Sequence, residues 1–248
     1  MKNPFKLLTK YDIMLWVASV IAIVLAFSLS SSRDYLTLVS SLTGVSALMF
    51  IVKGSVVGQF ITVVFSVFYG VVSYYFKYYG EMITYLGMSA PASIFAIISW
   101  LRHPFKDSAQ VQVSKLNGKK IGIVAALSVA LTVAFYFILR ACGTTNLIIS
   151  TVSVTTSVLA ASFSFLRSPL YGLAYAANDV VLIIMWVMAT VKNIAYLPMV
   201  ICFSLFLIYD LYGFFSWRAM RGKQQNQTEQ EQINEQEQIS SDNNDENN

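Results

Sequence analysis

The chain has 248 residues, of which 56% are hydrophobic and 12% are charged, and its mean hydropathy is +0.60. No soluble fold buries so large an apolar fraction, so the composition indicates a polytopic membrane protein and excludes the soluble classes. The formal charge of +4 comes from 17 basic and 13 acidic residues. Basic side chains gather at the ends of apolar segments, which argues against a nucleic-acid partner.

Eight apolar segments are long enough to cross a bilayer as helices. They lie near residues 12–30, 35–52, 56–76, 82–101, 119–139, 145–166, 170–191 and 194–217. If the connections alternate between the two sides, only Arg33, Lys77, Arg140 and Lys192 fall on one side and the other 13 Lys and Arg on the opposite side. The positive-inside rule therefore predicts an all-α, multi-pass protein with both termini in the cytoplasm.

A weak internal repeat relates two groups of three helices. The segment that starts at Lys53 matches the one that starts at Arg167, and residues 95–100 match residues 212–217. Because one crossing separates the groups, both copies enter the membrane from the same side, which predicts a parallel 3+1+3 repeat preceded by an extra helix. The predicted parts are a cytoplasmic segment with an accessory helix (1–34), a first bundle (35–101), a cytoplasmic loop with a linking helix (102–144), a second bundle (145–217) and a disordered, polar cytoplasmic tail (218–248).

The third predicted helix carries a polar stripe through an otherwise apolar span. Its members are Gln59, Thr62, Ser66, Tyr69 and Ser73, spaced three and four residues apart and therefore on one helix face. Such a stripe faces protein or water rather than lipid. It serves either as a set of hydrogen bonds between helices or as the lining of a solute path.

The seventh and eighth predicted helices each carry a carboxylate within an apolar span, Asp179 and Asp210. An intramembrane acid costs about 2.5–3.5 kcal/mol, so it indicates a functional site that faces the bundle interior or a cavity. Both acids lie at a similar depth, roughly 10–13 Å from the cytoplasmic helix ends. Such a pair suits a compact organic cation held among aromatic rings, or a proton shared by two acids and coupled to transport. Their polar and aromatic neighbours are Tyr175, Asn178, Trp186, Phe206, Tyr209, Tyr212 and Trp217.

The predicted membrane core contains no His, Glu, Lys or Arg, so no metal, cofactor or catalytic relay is expected. A close acid pair leaves intramembrane aspartyl chemistry formally open. The alternative outside transport and catalysis is a membrane scaffold, in which polar side chains only join helices and the tail recruits a partner.

Three motifs resemble the PnuC family of bacterial nicotinamide riboside transporters. They are GQFITVVFSVFYG at residues 58–70, YYGEM at 78–82 and DLYGFFSW at 210–217, within a similarity that covers about residues 35–220. The resemblance implies a SWEET-like pair of bundles, a homotrimer in the bacterial inner membrane, and facilitated diffusion of an unphosphorylated vitamin. It further implies that a cytoplasmic kinase traps the vitamin for NAD biosynthesis.

The resemblance also implies a pocket built from Gln, Asn, Tyr and Trp side chains. On this chain those positions are Gln59, Tyr69, Asn178, Trp186, Tyr212 and Trp217, to which the residues themselves add Thr62, Tyr175, Asp179, Tyr209 and Asp210 as substrate-binding candidates. The family often has Asn at the polar position before Tyr-Gly, where this chain has Asp210. Nicotinamide riboside and thiamine are both cationic heterocycles, so an aspartate among aromatic rings suits either, and thiamine or another vitamin remains the alternative substrate.

Overall fold

The computed structural model describes residues 3–30, 35–76, 78–144 and 146–245, and eight long helices occupy most of these ranges. Two short 3₁₀ turns, Pro4–Leu7 and Ile194–Tyr196, precede the first and last of them. The helices are α1 (Lys10–Leu29), α2 (Tyr35–Ile51), α3 (Val56–Tyr75), α4 (Tyr79–Leu101), α5 (Gly118–Ala141), α6 (Leu147–Phe165), α7 (Leu170–Lys192) and α8 (Leu197–Asp245).

Seven of these helices are long and apolar enough to cross a membrane, and α2 is an apolar helix of 17 residues, at the short end of the spanning range. The prediction of an all-α protein with eight helices is confirmed. Of the basic residues used to orient the chain, Lys2, Arg33 and Lys77 lie outside the described residues.

The predicted disordered tail is the main difference from the structure, because α8 continues without a break to Asp245. Gln and Glu are good helix formers, and the spanning part of α8 supplies the helical nucleus that an isolated tail lacks. The start of this extension also packs against the protein. The Gln224 side chain donates to the carbonyl of Val111 at 3.0 Å and accepts from the amide of Val113 at 2.9 Å.

Helices α2–α4 and α6–α8 form two bundles in which the middle helices, α3 and α7, pack against both of their neighbours. The bundles meet through α2 with α8 and α4 with α6, which is the symmetric pairing that a parallel repeat produces. The linking helix α5 packs on α6, and α1 packs on α2 and α8. The interior between the bundles is therefore lined by α2, α3, α4, α6, α7 and α8.

The first helix of each bundle ends in the same C-terminal motif, with one residue in the left-handed region. That residue is Gly54 (φ 68°) after α2 and Arg167 (φ 55°) after α6. The amide one residue later bonds to the carbonyl of Phe50 at 3.1 Å in the first copy and of Phe163 at 2.9 Å in the second. The two turns are thus equivalent at an offset of 113 residues, one fewer than the sequence match indicated.

A connection between α4 and α5, residues 102–117, crosses the end of the protein where these turns lie. We call this segment the basic-end loop and this end the basic end. The loop bonds to both turns, since the Val111 amide donates to the Gly54 carbonyl at 2.9 Å and the Ser114 amide donates to the Arg167 carbonyl at 3.0 Å. It therefore connects the two bundles at one end of the membrane span.

Candidate functional site

A cavity of about 70 Å³ lies between the two bundles, at the level of the intramembrane acids. Six of the predicted site residues line it: Gln59, Thr62, Tyr175, Asn178, Asp179 and Asp210. The rest of the lining is apolar or carries hydroxyl groups, and no Lys, Arg or His is part of it among the described residues. The cavity is smaller than the roughly 300 Å³ of a typical ligand pocket, so the bundles or side chains must shift to admit an organic molecule.

Asp179 on α7 and Asp210 on α8 lie side by side in the cavity lining and are 3% and 2% exposed. Two buried carboxyl groups so close together do not both ionise, so the pair carries no more than one negative charge. One oxygen of each acid, Oδ2 of Asp179 and Oδ1 of Asp210, is buried without a hydrogen-bond partner. The pair therefore presents a desolvated negative charge to the cavity.

Asn178 is held in one orientation by hydroxyl groups of α6. Its Oδ1 accepts from Thr156 at 2.8 Å, from Ser157 at 2.9 Å and, more weakly, from Ser153 at 3.5 Å. Because the oxygen is fully used, the amide NH₂ is the group left to bind a molecule in the cavity. The sequence placed Asn178 in the site but gave no sign of these three partners.

Gln59 and Thr62 reach the cavity from α3. The Gln59 amide donates to the Ser164 hydroxyl at 3.0 Å, which fixes its side chain across the two bundles. The Thr62 hydroxyl bonds to the Gly58 carbonyl within its own helix at 2.8 Å. Ser66 also lines the cavity, and its hydroxyl is buried with no partner. The polar stripe of α3 thus faces the interior, as its spacing predicts.

Tyr69 and Trp186 lie beyond the cavity, toward the end of the protein opposite the basic end. The Trp186 indole donates to the Tyr69 hydroxyl at 3.0 Å, and both side chains are fully buried. Tyr85 packs on Tyr69 with ring centroids 4.2 Å apart, and Tyr78 packs on Trp186 at 4.9 Å. Tyr85 also lines the cavity, whereas Tyr69, Tyr78 and Trp186 close this end of it from outside the lining.

Trp217 closes the other end together with Trp100 and Tyr171. The ring centroid of Trp217 lies 5.3 Å from that of Trp100 and 4.8 Å from that of Tyr171. The Trp217 indole donates to the carbonyl of Ile51 at the end of α2, and the Trp100 indole donates to that of Ser164 at the end of α6, both at 2.9 Å. Each tryptophan lies on the third helix of one bundle, at the basic end of the membrane span, and bonds to the first helix of the other bundle.

Tyr212 and Tyr209, both predicted site residues, lie outside the cavity lining and face α1. The Tyr212 hydroxyl donates to Asp12 of α1 at 2.8 Å and accepts from Lys53 at 3.0 Å, while Lys53 and Asp12 form an ion pair at 2.9 Å. Burial alone lowers the pKa of Lys53, but the bonds to Tyr212 and Asp12 and the charge of Asp12 outweigh it and raise the pKa. This cluster attaches the extra helix to the core.

A buried glutamate at the end opposite the basic end was missed by the sequence reasoning. Glu81 is 1% exposed and has one carboxylate oxygen without a partner among the described residues. It was overlooked because the predicted fourth span began at residue 82, whereas α4 begins at Tyr79. The motif Tyr-Gly-Glu at residues 79–81 was the available signal, since the polar residue directly precedes an apolar run.

A polar cavity between two parallel bundles, closed at both ends by aromatic rings, is the arrangement of a membrane transporter with its site at the repeat interface. The comparisons agree. A family model described as nicotinamide mononucleotide transporter matches residues 34–219, and the chain belongs to this family of transporters, which are not enzymes.

Two characterised relatives match most of the chain. The nicotinamide riboside transporter PnuC of Neisseria mucosa is 24% identical over 210 residues, which cover 83% of this chain and 80% of that protein. The crystal structure of the vitamin B3 transporter PnuC superimposes with a TM-score of 0.77 at 22% identity, covering 88% of this chain and 94% of the other. The shared fold supports the 3+1+3 arrangement with an extra helix.

Proposed function

We propose that this protein carries nicotinamide riboside across the bacterial inner membrane by alternating access. The observation that carries the proposal is the cavity between the bundles, whose lining offers a pair of buried acids, two amides and three tyrosines. A pyridinium ring bears a positive charge and has flat faces, so an acid pair and an aromatic ring stabilise it together. Family membership and the riboside named for the relative point to the same substrate.

The charge of the cavity favours the riboside over the mononucleotide. A phosphate group adds about 1.5 to 2 negative charges at neutral pH. Among the described residues no basic side chain lines the cavity to balance them, and the nearby cation Lys53 is already paired with Asp12. A phosphorylated ligand would meet Asp179 and Asp210 unscreened, so we expect it to be rejected.

Within this proposal, the lining residues have separate roles. Gln59 and Asn178 select the polar groups of the ligand, Tyr175 stacks on its ring, and the acid pair Asp179 and Asp210 balances its charge. Trp186 belongs with Tyr69 to the gate opposite the basic end. That gate and the one around Trp217 open in turn as the bundles move.

The basic end faces the cytoplasm in this proposal, as the positive-inside rule expects, with both termini on that side. Transport is facilitated diffusion drawn inward because a cytoplasmic kinase phosphorylates the riboside during NAD biosynthesis. The charged product then no longer fits the cavity, for the reason given above. We further propose that the protein works as a homotrimer, as the family resemblance implies.

Uptake of labelled nicotinamide riboside by proteoliposomes tests the proposal. We expect saturable uptake that unlabelled riboside blocks and the mononucleotide leaves unchanged. Asn178→Ala should lower the apparent affinity, whereas Asn226→Ala, an exposed position on the α8 extension, should not. Uptake no faster than in protein-free vesicles would overturn the proposal. If thiamine competes more strongly than the riboside, thiamine is the substrate, and the acid pair suits that cation as well.

A further inference from the structure

A second, larger concavity lies on the outside of the bundles. This groove has a volume of about 480 Å³ and runs between α4, α5 and α6. Its walls are apolar, with side chains such as Phe95, Leu127 and Phe135, and Lys120 and Ser162 are its only polar lining residues. All three helices cross the membrane, so the groove opens to the bilayer rather than to water.

Small residues on two helices leave this space open. Gly87, Ala92 and Ala161 line the groove, and a side-chain carbon added at Gly87 would meet no atom within 4 Å. Small residues on membrane helices normally allow two backbones to approach closely. Here none of the described helices fills the space, so we look for its occupant outside the chain.

Two cations lie at the basic end of the groove. Lys120 lines it, and its ammonium group lies 3.4 Å from the Ser114 hydroxyl. The Ser114 amide in turn donates to the carbonyl of Arg167, which directly follows the lining residues Phe165 and Leu166. Lys120 through its side chain and Arg167 through its main chain therefore both contact Ser114, at the level where the membrane span ends.

The guanidinium of Arg167 lacks partners. Its Nε and one terminal nitrogen are buried without a hydrogen bond, and burial lowers the pKa of the group, as expected for a cation without a nearby anion. The ion pairs found in the described part of the chain, Lys53 with Asp12 and Lys106 with Glu231, involve neither Lys120 nor Arg167.

We propose that the groove binds an anionic phospholipid, with an acyl chain along α5 and the phosphate between Lys120 and Arg167. Basic pockets between membrane helices on the cytoplasmic side recognise anionic headgroups in this way. The headgroup supplies the anion that the two cations lack, and the chain fills the space beside Gly87. The site is separate from the transport cavity and does not depend on which vitamin is carried.

Charge favours a lipid over a second copy of the protein. Between the two ends of the membrane span, the acids of the described helices are Asp12, Glu81, Asp179 and Asp210, and each is buried inside its own chain. A neighbouring copy docked by its membrane-facing surface thus offers an apolar ridge but no carboxylate from its spans for Lys120 and Arg167. A phospholipid of the same leaflet offers both the chain and the charge.

Native mass spectrometry of the full chain with phosphatidylglycerol or phosphatidylcholine added to the detergent tests the site. We expect preferential retention of phosphatidylglycerol by the unmodified protein. Lys120→Gln combined with Arg167→Gly should retain it about 30-fold more weakly, about fivefold for each basic side chain. Glycine is the replacement at residue 167 because Gly54 occupies the equivalent left-handed turn.

Two further variants separate the possible outcomes. Lys115→Gln with Lys119→Gln removes the same charge from exposed positions and should leave retention unchanged. Gly87→Leu fills the groove without changing charge and should reduce retention of both lipids. Equal phosphatidylglycerol retention by the two charge variants would overturn the proposal. The proposal would also be overturned if Gly87→Leu kept its lipid retention but lost an oligomer, because a second copy of the protein would then cover the groove.

Discussion

Asp179 and Asp210 should behave as one unit, so that either acid alone is sufficient to bind a cationic substrate. Because two adjacent buried carboxyl groups do not both ionise, we expect the pair to carry a single negative charge. Asp179→Asn or Asp210→Asn leaves one carboxyl group, which can carry that charge without sharing it. We therefore expect each single variant to change the affinity for nicotinamide riboside by only a few-fold.

The double variant should lose most of the affinity. A unit charge about 5 Å from the pyridinium contributes about 3 kcal/mol at an effective dielectric constant of 20. Removing it entirely corresponds to a loss of about 100-fold in affinity. Both lining residues stay polar and similar in size as asparagine, so the cavity keeps its shape and the loss reports on charge.

Isothermal titration or a thermal-shift competition in detergent measures these affinities, with reduced nicotinamide riboside as the matched ligand. The reduced ring is uncharged and nearly the same shape, so its affinity should change little in all three variants. Two results would refute the reasoning. A single variant as weak as the double would mean that both acids are needed in charged form, and a double variant of normal affinity would mean that the charge takes no part in binding.

Two further predictions concern the basic end. Trp217→Phe removes a hydrogen bond that joins the bundles and is worth about 1 kcal/mol, so transport rate and thermal stability should both change. The control Trp16→Phe removes an indole bond between α1 and α2 and should affect thermal stability alone. An unchanged rate for Trp217→Phe would argue against a gate there. Gln224→Ala removes two hydrogen bonds to the basic-end loop, which together stabilise it by about 2 kcal/mol, and should speed protease cleavage within the loop. Gln227→Ala, at an exposed position, should leave the cleavage rate unchanged. Equal cleavage of the two variants would show that the extension of α8 does not hold the loop.

The meeting of Asp179 and Asp210 could be predicted from sequence because depth along a helix follows from a fixed rise of about 1.5 Å per residue. The same geometry explains which predicted site residues do not line the cavity. Tyr212 lies two residues after Asp210, about 200° around α8, and therefore faces α1. Trp186 shares a face with Asp179 but lies seven residues, about 10 Å, farther along, so it packs in the next layer.

Other features depended on contacts between distant parts of the chain. The hydroxyls that orient Asn178 come from α6, and no pattern near residue 178 indicates them. The partner of Lys53 is Asp12, on the helix set aside as an accessory. The polar composition of the α8 extension predicts disorder because such a segment cannot bury enough apolar surface to fold alone. The extension is helical because it continues a helix that is already nucleated in the membrane span, and adding residues to an existing helix costs little.

If the protein works by the proposed alternating access, we expect the reciprocal tryptophan bonds to make the basic end open as one unit. Trp100 of the first bundle bonds to the second, and Trp217 of the second bonds to the first. Any movement that separates the bundles at this end must break both bonds, since each crosses the same interface. The basic-end loop adds two more bonds to the same pair of turns, at Gly54 and Arg167. At the opposite end, the bond from Trp186 to Tyr69 crosses from α7 to α3, so that end also opens only as the bundles separate. A rocking motion that breaks one set of bonds while keeping the other would expose the cavity to one side at a time, as alternating access requires.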